Sequence, residues 1–115
     1  MAYRVAVASS DGKVINQHFG RSRQFIIFDI DGQESYSFVE IRQNIPPCGL
    51  EQHEENAMER TVNLLSDCKA VLVSQIGAGA EQALAARGIQ AYCIRDFIDG
   101  ALSKLAEFSG RKRAL

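Results

Sequence analysis

The residue types best suited to binding chemistry fall in two glycine-marked stretches of the chain. The first stretch contains His18, Arg21 and Arg23, and the second contains Gly77 and Gly79 where a helical pattern begins. Imidazole nitrogens ligate metals, guanidinium groups bind anions, and free N–H groups at the start of a helix favour negative charge. The pattern therefore predicts an anion-binding site with one metal ligand, His18.

The three cysteines differ in how well their positions suit metal binding. Cys48 follows two prolines, which predict an irregular loop from which a thiolate can reach a metal. The sequence leaves Cys48 open between a second metal ligand and a bystander. Cys68 and Cys93 fall in apolar stretches and are predicted to be core residues. For His18, the alternative role is that of an exposed or hydrogen-bonding histidine in a polar loop.

No catalytic residues are predicted. The stretch from Gly77 to Gln82 only partly matches GxGxxG, because its third glycine position is Gln82 and it does not follow the first strand. A phosphate-binding P-loop lysine, GxSxG and HExxH are absent from the sequence. These features disfavour an enzyme, and an enzyme acting on a phosphorylated metabolite at the glycine loop is a minor alternative.

Composition narrows the class of protein further. The 115 residues carry a net charge of -1, so we expect neither a nucleic-acid nor a membrane partner. Three widely spaced cysteines without a CxxC pair predict a reducing, cytoplasmic location. Residues 1–115 are predicted to form a single domain. Its last six or so residues, with the basic run at 111–113, are predicted to be a flexible tail after the last helix.

The elements that must position these residues follow the order β-β-β-α-β-α-β-α. Apolar runs predict strands, and helical periods predict helices, near residues 3–8, 25–28, 36–41, 52–68, 70–73, 79–88, 89–94 and 97–105. Residues 13–22 are predicted to be a long polar loop. The last helix is predicted to direct five side chains inward: Phe97, Ile98, Ala101, Leu102 and Leu105.

These elements predict an α/β fold with a mixed five-stranded sheet. The pair Asp31-Gly32 predicts a hairpin between strands two and three, and right-handed crossovers make the later strands parallel. The predicted strand order is 3-2-1-4-5, with strand two antiparallel and helices on both faces. Ligands bind where such an order changes direction, here between strands one and four. The loops bearing His18 and Gly77 should meet there.

Nearly the whole chain resembles the dinitrogenase iron–molybdenum cofactor biosynthesis family. The likeness rests on four stretches: VAVASSDG at 5–12, NQHFGR at 16–21, FIIFD at 25–29 and DCKAVL at 67–72. It continues through Ile76-Gly77 and Gly88-Ile89. Members of this family include NifX- and NafY-like carriers and the C-terminal domain of NifB. The Cys-x3-Cys-x2-Cys cluster site of the radical-SAM domain of NifB does not occur in this sequence.

The resemblance implies a three-layer ribonuclease-H-like fold and a cofactor carrier. It implies binding of the iron–molybdenum cofactor, its iron–sulfur precursor or a related molybdenum–sulfide cluster. It also implies that the histidine of the HFG motif, His18, ligates the cluster. The expected partners are cofactor-synthesis or nitrogenase-type proteins. The alternative is a metal-free regulatory or interaction domain of a larger assembly.

Overall fold

The protein is described from a computed structural model, which covers residues 3–31, 35–44 and 57–114. Its strands are β1 (Tyr3–Val7), β2 (Gln24–Ile30), β3 (Tyr36–Gln43), β4 (Cys68–Val73) and β5 (Gln90–Cys93). Its helices are α1 (Ala57–Leu64), α2 (Ala78–Ala85) and α3 (Ile98–Ala114), with a short 3-10 turn at Phe19–Arg21.

The strands form one five-stranded sheet in the order β3-β2-β1-β4-β5. Strand β2 runs antiparallel to β1 and β3, whereas β1, β4 and β5 are parallel to one another. The predicted α/β class, strand order and strand directions are therefore confirmed. Gly32, at the predicted hairpin turn, lies outside the described residues.

The sheet separates two apolar cores. On one face, Ala6 and Val71 pack with Leu65, just after α1, and with Leu84 of α2. On the other face, alternate residues of the same strands pack with buried side chains of α3 such as Leu102. The central strands are covered on both sides, which explains why β1 and β4 are continuous apolar runs. No helix in the described part of the chain is long and apolar enough to cross a membrane.

Two side chains predicted to be buried are exposed. Phe97 is 65% exposed, because it precedes the first turn of α3, where its backbone forms an isolated bridge with Val14. The inward stripe of α3 begins one residue later, at Ile98. Cys93 is exposed because it is the last residue of the edge strand β5. Cys68 is buried as predicted, but it begins β4 and does not end a helix.

Two further features differ from the predictions, namely the burial of one loop and the end of the last helix. Residues 13–22 form an irregular loop as expected, but Ile15 and Phe19 are buried in the two cores, so the loop is anchored to the sheet. Helix α3 extends to Ala114 and therefore includes the basic run at 111–113, which the sequence placed after the helix.

An ion-pair network joins side chains of β1, β2 and β3 to Asp67, the residue before β4. Asp67 accepts hydrogen bonds from Arg42 at 2.7 and 2.8 Å and from Arg4 at 2.8 Å. Arg4 also pairs with Asp29 at 3.1 Å. Arg42 donates a further bond to the carbonyl oxygen of Leu64 near the end of α1. The network holds the start of β4 against the edge strand and the preceding helix.

Acid is expected to weaken this network. The two guanidinium groups hold the pKa of Asp67 well below its ordinary range. Its stabilisation should therefore be complete above about pH 4, the ordinary aspartate value, and should be lost as the pH falls below it. Because the side chain is 42% exposed, we expect Asp67→Asn to cost about 1 kcal/mol at pH 7. Urea unfolding at pH 7 and pH 3 checks this, and an equal acid sensitivity of parent and variant would contradict it.

Candidate functional site

Two loops meet at the edge of the sheet where β1 and β4 end. The backbone N–H of Phe19 donates to the carbonyl oxygen of Gln75 at 2.9 Å, and that of Ser74 donates to Gln17 at 3.0 Å. His18 and Gln75 thus form an isolated parallel bridge between the loops. This contact lies at the change of direction in the strand order, where ligands bind in sheets of this kind.

Phe19 fixes the loop that presents His18. Its ring is fully buried, with its centroid 5.8 Å from that of Phe25 on β2. The 3-10 turn after it closes through an N–H of Arg21 that donates to the carbonyl oxygen of His18 at 3.0 Å. His18 is exposed, and its imidazole makes no hydrogen bond to a described residue. A buried neighbour therefore holds in place a histidine whose ring nitrogens are open to a ligand.

A turn at the start of the same loop is fixed by Asp11. Its Oδ1 atom accepts backbone N–H bonds from Lys13 at 2.9 Å and from Val14 at 3.1 Å. These bonds lower the pKa of the Asp11 carboxyl group. Gly12 has a φ of 77°, a left-handed conformation that glycine adopts without strain. The first turn of the loop is thus fixed by local hydrogen bonds to Asp11 and by the conformation of Gly12.

A pocket of about 200 Å³ opens between the two loops and the starts of α1 and α2. Its lining consists of His18, Gly20, Arg21, Met58, Gln75, Ile76, Gly77 and Ala80. Three residues predicted for the site, His18, Arg21 and Gly77, are therefore brought together. Arg23 is exposed on the same loop, and Gly79 lies in the first turn of α2, but neither is in the lining. Cys48 lies outside the described residues.

The described residues that line this pocket carry positive charge. They include a guanidinium group and an imidazole, and none of them carries a carboxylate. The side chains of Arg21 and Arg23 form no ion pair with a described residue, whereas Arg4 and Arg42 are both paired with carboxylates. An unpaired guanidinium at the rim of a pocket is available to an anionic ligand.

Helix α2 adds partial positive charge at the same place. Gly77 is its N-cap, and the first bond within the helix runs from the Glu81 N–H to the Gly77 carbonyl oxygen at 3.0 Å. The N–H groups of residues 78–80 have no acceptor among the described residues. Such groups and the helix dipole favour a negative charge.

Five lining residues were not predicted for the site: Gly20, Met58, Gln75, Ile76 and Ala80. Met58 falls on the apolar face of the helix predicted near 52–68, and Gln75 lies between the strand predicted near 70–73 and the helix predicted near 79–88. Gln75 gave no signal because its contribution is a backbone pairing with the other loop. Met58 enters the lining because α1 begins beside the two loops, a placement that periodicity alone does not encode.

The thiol of Cys68 is not suited to metal binding. Burial raises its pKa to about 12, with a further contribution from the carboxylate of Asp67. A buried thiol that resists deprotonation is a poor metal ligand. Among the described residues, no three His, Cys, Asp or Glu side chains form a group that could hold a metal ion.

Glycine at position 77 is expected to serve binding more than folding. A Cβ atom added there would meet no atom within 4 Å, and the φ of −79° suits any residue. We expect Gly77→Val to weaken the binding of an anion in the pocket while costing no more than about 1 kcal/mol of stability, because valine is a poorer N-cap than glycine. Gly79→Ala should affect affinity less, since residue 79 is outside the lining, and should not destabilise the helix. Thermal melts and anaerobic titrations of both variants check this. A Gly77→Val protein that melts at a much lower temperature but binds normally would show that Gly77 serves folding.

Comparison with known proteins gives consistent matches. The model of the family described as dinitrogenase iron–molybdenum cofactor matches residues 1–107. NifB of Frankia alni is 39% identical over 104 residues, which are 88% of this chain and 20% of that protein. NifX of Azotobacter vinelandii is 39% identical over 90 residues, 76% of this chain and 53% of that protein. The crystal structure of PH0822 is 30% identical with a TM-score of 0.70, covering 91% of this chain and 89% of that one.

Proposed function

The chain belongs to the dinitrogenase iron–molybdenum cofactor family, and from that premise we propose that it binds and carries an anionic metal–sulfur cluster at the His18 pocket. The chain spans about a fifth of the NifB relative and about half of the NifX relative. The proposal therefore concerns binding and delivery of a cluster and includes no catalysis by this chain.

The observation that carries the proposal is the composition of the pocket. An exposed imidazole, an unpaired guanidinium and the free amides of α2 converge on one space, and none of its described lining residues carries a carboxylate. His18 would ligate a metal atom of the cluster, and Arg21 and the amides would neutralise part of its charge. Arg23 and Gly79 would act from just outside the lining. Cys48 stays a proposed second ligand.

The size of the pocket suits a carrier. Its volume of about 200 Å³ is below the roughly 300 Å³ at which pockets that enclose small ligands begin. A metal–sulfur cluster would insert one face and leave the rest open to a receiving protein. One imidazole bond with diffuse electrostatic support would hold such a cargo and still release it.

The proposed cargo is the iron–molybdenum cofactor, its iron–sulfur precursor or a related molybdenum–sulfide cluster. The receiving partners would be proteins of cofactor synthesis or of the nitrogenase type, in keeping with the names of the relatives. We place this exchange in the cytoplasm, because Cys68 and Cys93 are free thiols, as expected in a reducing compartment.

A metal-free interaction domain is the second candidate function. It is favoured by Phe38 and Ile41, which are 60% and 49% exposed on the edge strand β3. Both side chains lie on the α3 face of the sheet, since they pair with Phe28 and Ile26. An exposed apolar edge of this kind can receive another protein.

Anaerobic purification separates the two functions. Expressed in cells that make the cofactor, a carrier should be brown or orange and contain iron or molybdenum in proportion to protein. An interaction domain should be colourless in the same cells and take up no cluster on reconstitution. The Arg21→Ala variant tests whether the metal is held at the pocket. It removes charge from the pocket without changing a buried side chain, so it should retain less metal than the parent.

A further inference from the structure

The pocket has a polar and an apolar part. Its apolar part consists of Met58, Ile76 and Ala80, none of which carries a hydrogen-bonding side chain. Ala80 is buried, and Met58 and Ile76 are half-buried against the core on the same face of the sheet. A ligand that fills the pocket must therefore present an anionic side to His18 and Arg21 and a weakly hydrated side to these three residues.

Among the described residues of the lining, Met58 alone contains sulfur. Its thioether is uncharged and polarisable, and its unbranched side chain adapts to the shape of what it contacts. It lies on α1 beside the two loops, where its side chain lines the pocket. Its role in the core is partial, since the side chain is only half-buried.

Resting on the proposed function, we propose that Met58 is a specificity-determining residue that contacts the sulfido face of the cargo. It makes the pocket prefer a sulfido anion to an oxo anion of the same charge. An oxo anion placed there leaves an oxygen facing an apolar surface without a donor, which costs free energy. Sulfido ligands are larger, softer and less hydrated than oxo ligands, so they lose less hydration free energy on contact with a thioether.

The direct test uses the fact that the sequence contains two methionines, Met1 and Met58. Protein labelled at the methionine methyl carbons should give two methyl signals in an NMR spectrum. Under anaerobic titration with tetrathiomolybdate, the Met58 signal should shift with the binding curve, whereas the Met1 signal serves as the internal reference. Binding measured by calorimetry without a shift of the Met58 signal would overturn the proposal.

Two variants test specificity with tetrathiomolybdate and molybdate, which share charge and shape. Met58→Gln keeps the length of the side chain but makes it polar, and should lower the preference for tetrathiomolybdate about tenfold. Met58→Leu keeps the apolar contact and should retain the preference of the parent. A purely structural role would change the melting temperature of both variants and leave the ratio of the two affinities unchanged, which would refute the proposal.

These experiments also distinguish a failure of the Met58 proposal from a failure of the proposed carrier function. If the parent binds isolated iron–molybdenum cofactor and Met58→Gln keeps the parent ratio of anion affinities, the carrier function stands and the role of Met58 is wrong. If the parent binds neither the cofactor nor tetrathiomolybdate, both proposals are wrong.

Discussion

Replacement of His18 by alanine is expected to lower the affinity for the iron–molybdenum cofactor by at least about 100-fold. Removing a residue that only orients a metal ligand costs up to about 100-fold in metal affinity, and loss of the ligand itself should cost at least as much. The imidazole is the proposed metal ligand in the pocket, and among the other described lining residues none carries an imidazole, thiol or carboxylate that could replace its bond. The melting temperature should stay within about 3 °C of the parent. His18 is exposed and its ring makes no hydrogen bond to a described residue, so its loss removes little packing.

Anaerobic titration and thermal melts of a set of alanine variants check this expectation. Cys93→Ala is the matched control, because its thiol is exposed at the same edge of the sheet, and it should bind and melt like the parent. Cys68→Ala should bind normally but melt earlier, because Cys68 is buried. If His18→Ala binds like the parent, the assignment fails and Cys48 becomes the leading candidate.

The residue next to His18 should respond in the opposite way. Phe19 is fully buried and packs in the core on the α1 and α2 face of the sheet, where its ring contacts Phe25. Phe19→Ala should cost about 4 kcal/mol, from lost burial and the cavity left behind. In a domain of this size that is a fall of more than about 15 °C in melting temperature. It is a large share of the 5–15 kcal/mol that stabilises a typical domain.

Phe19→Leu is the control for this second variant. It keeps most of the apolar volume and should cost about 1.5 kcal/mol, well below the cost of alanine. Chemical unfolding of both variants gives the two free energies. A Phe19→Ala protein that unfolds at the same denaturant concentration as the parent would show that the loop is not anchored through this ring. Together, His18 and Phe19 would separate binding from folding within one motif.

The strand order was predictable because the signals for it are local. The apolar runs of β1 and β4 are unbroken since both faces of these strands are covered, and the handedness of crossovers leaves few ways to connect them. From that order alone, the meeting of the His18 and Gly77 loops follows. In the structure the two loops meet through the backbone bridge between His18 and Gln75.

The errors arose where burial depends on distant parts of the chain. Phe97 and Cys93 are apolar residues at the ends of elements, and their sequence neighbours resemble those of core residues. Their exposure follows from the edge position of β5 and from the backbone bridge at Phe97, which are tertiary features. For the same reason the sequence does not indicate Met58 as a pocket residue. Its helical spacing is that of a core residue, and only the packing of α1 beside the two loops brings it to the pocket.

The most direct test of cluster carrying is the metal content of the protein after anaerobic gel filtration with isolated iron–molybdenum cofactor. The protein fraction is analysed for molybdenum and iron, with His18→Ala run in parallel under the same conditions. We expect the parent to elute with about one cluster per chain, as one pocket requires, and the variant to elute nearly free of metal. A parent protein that elutes without molybdenum or iron would contradict the proposed function.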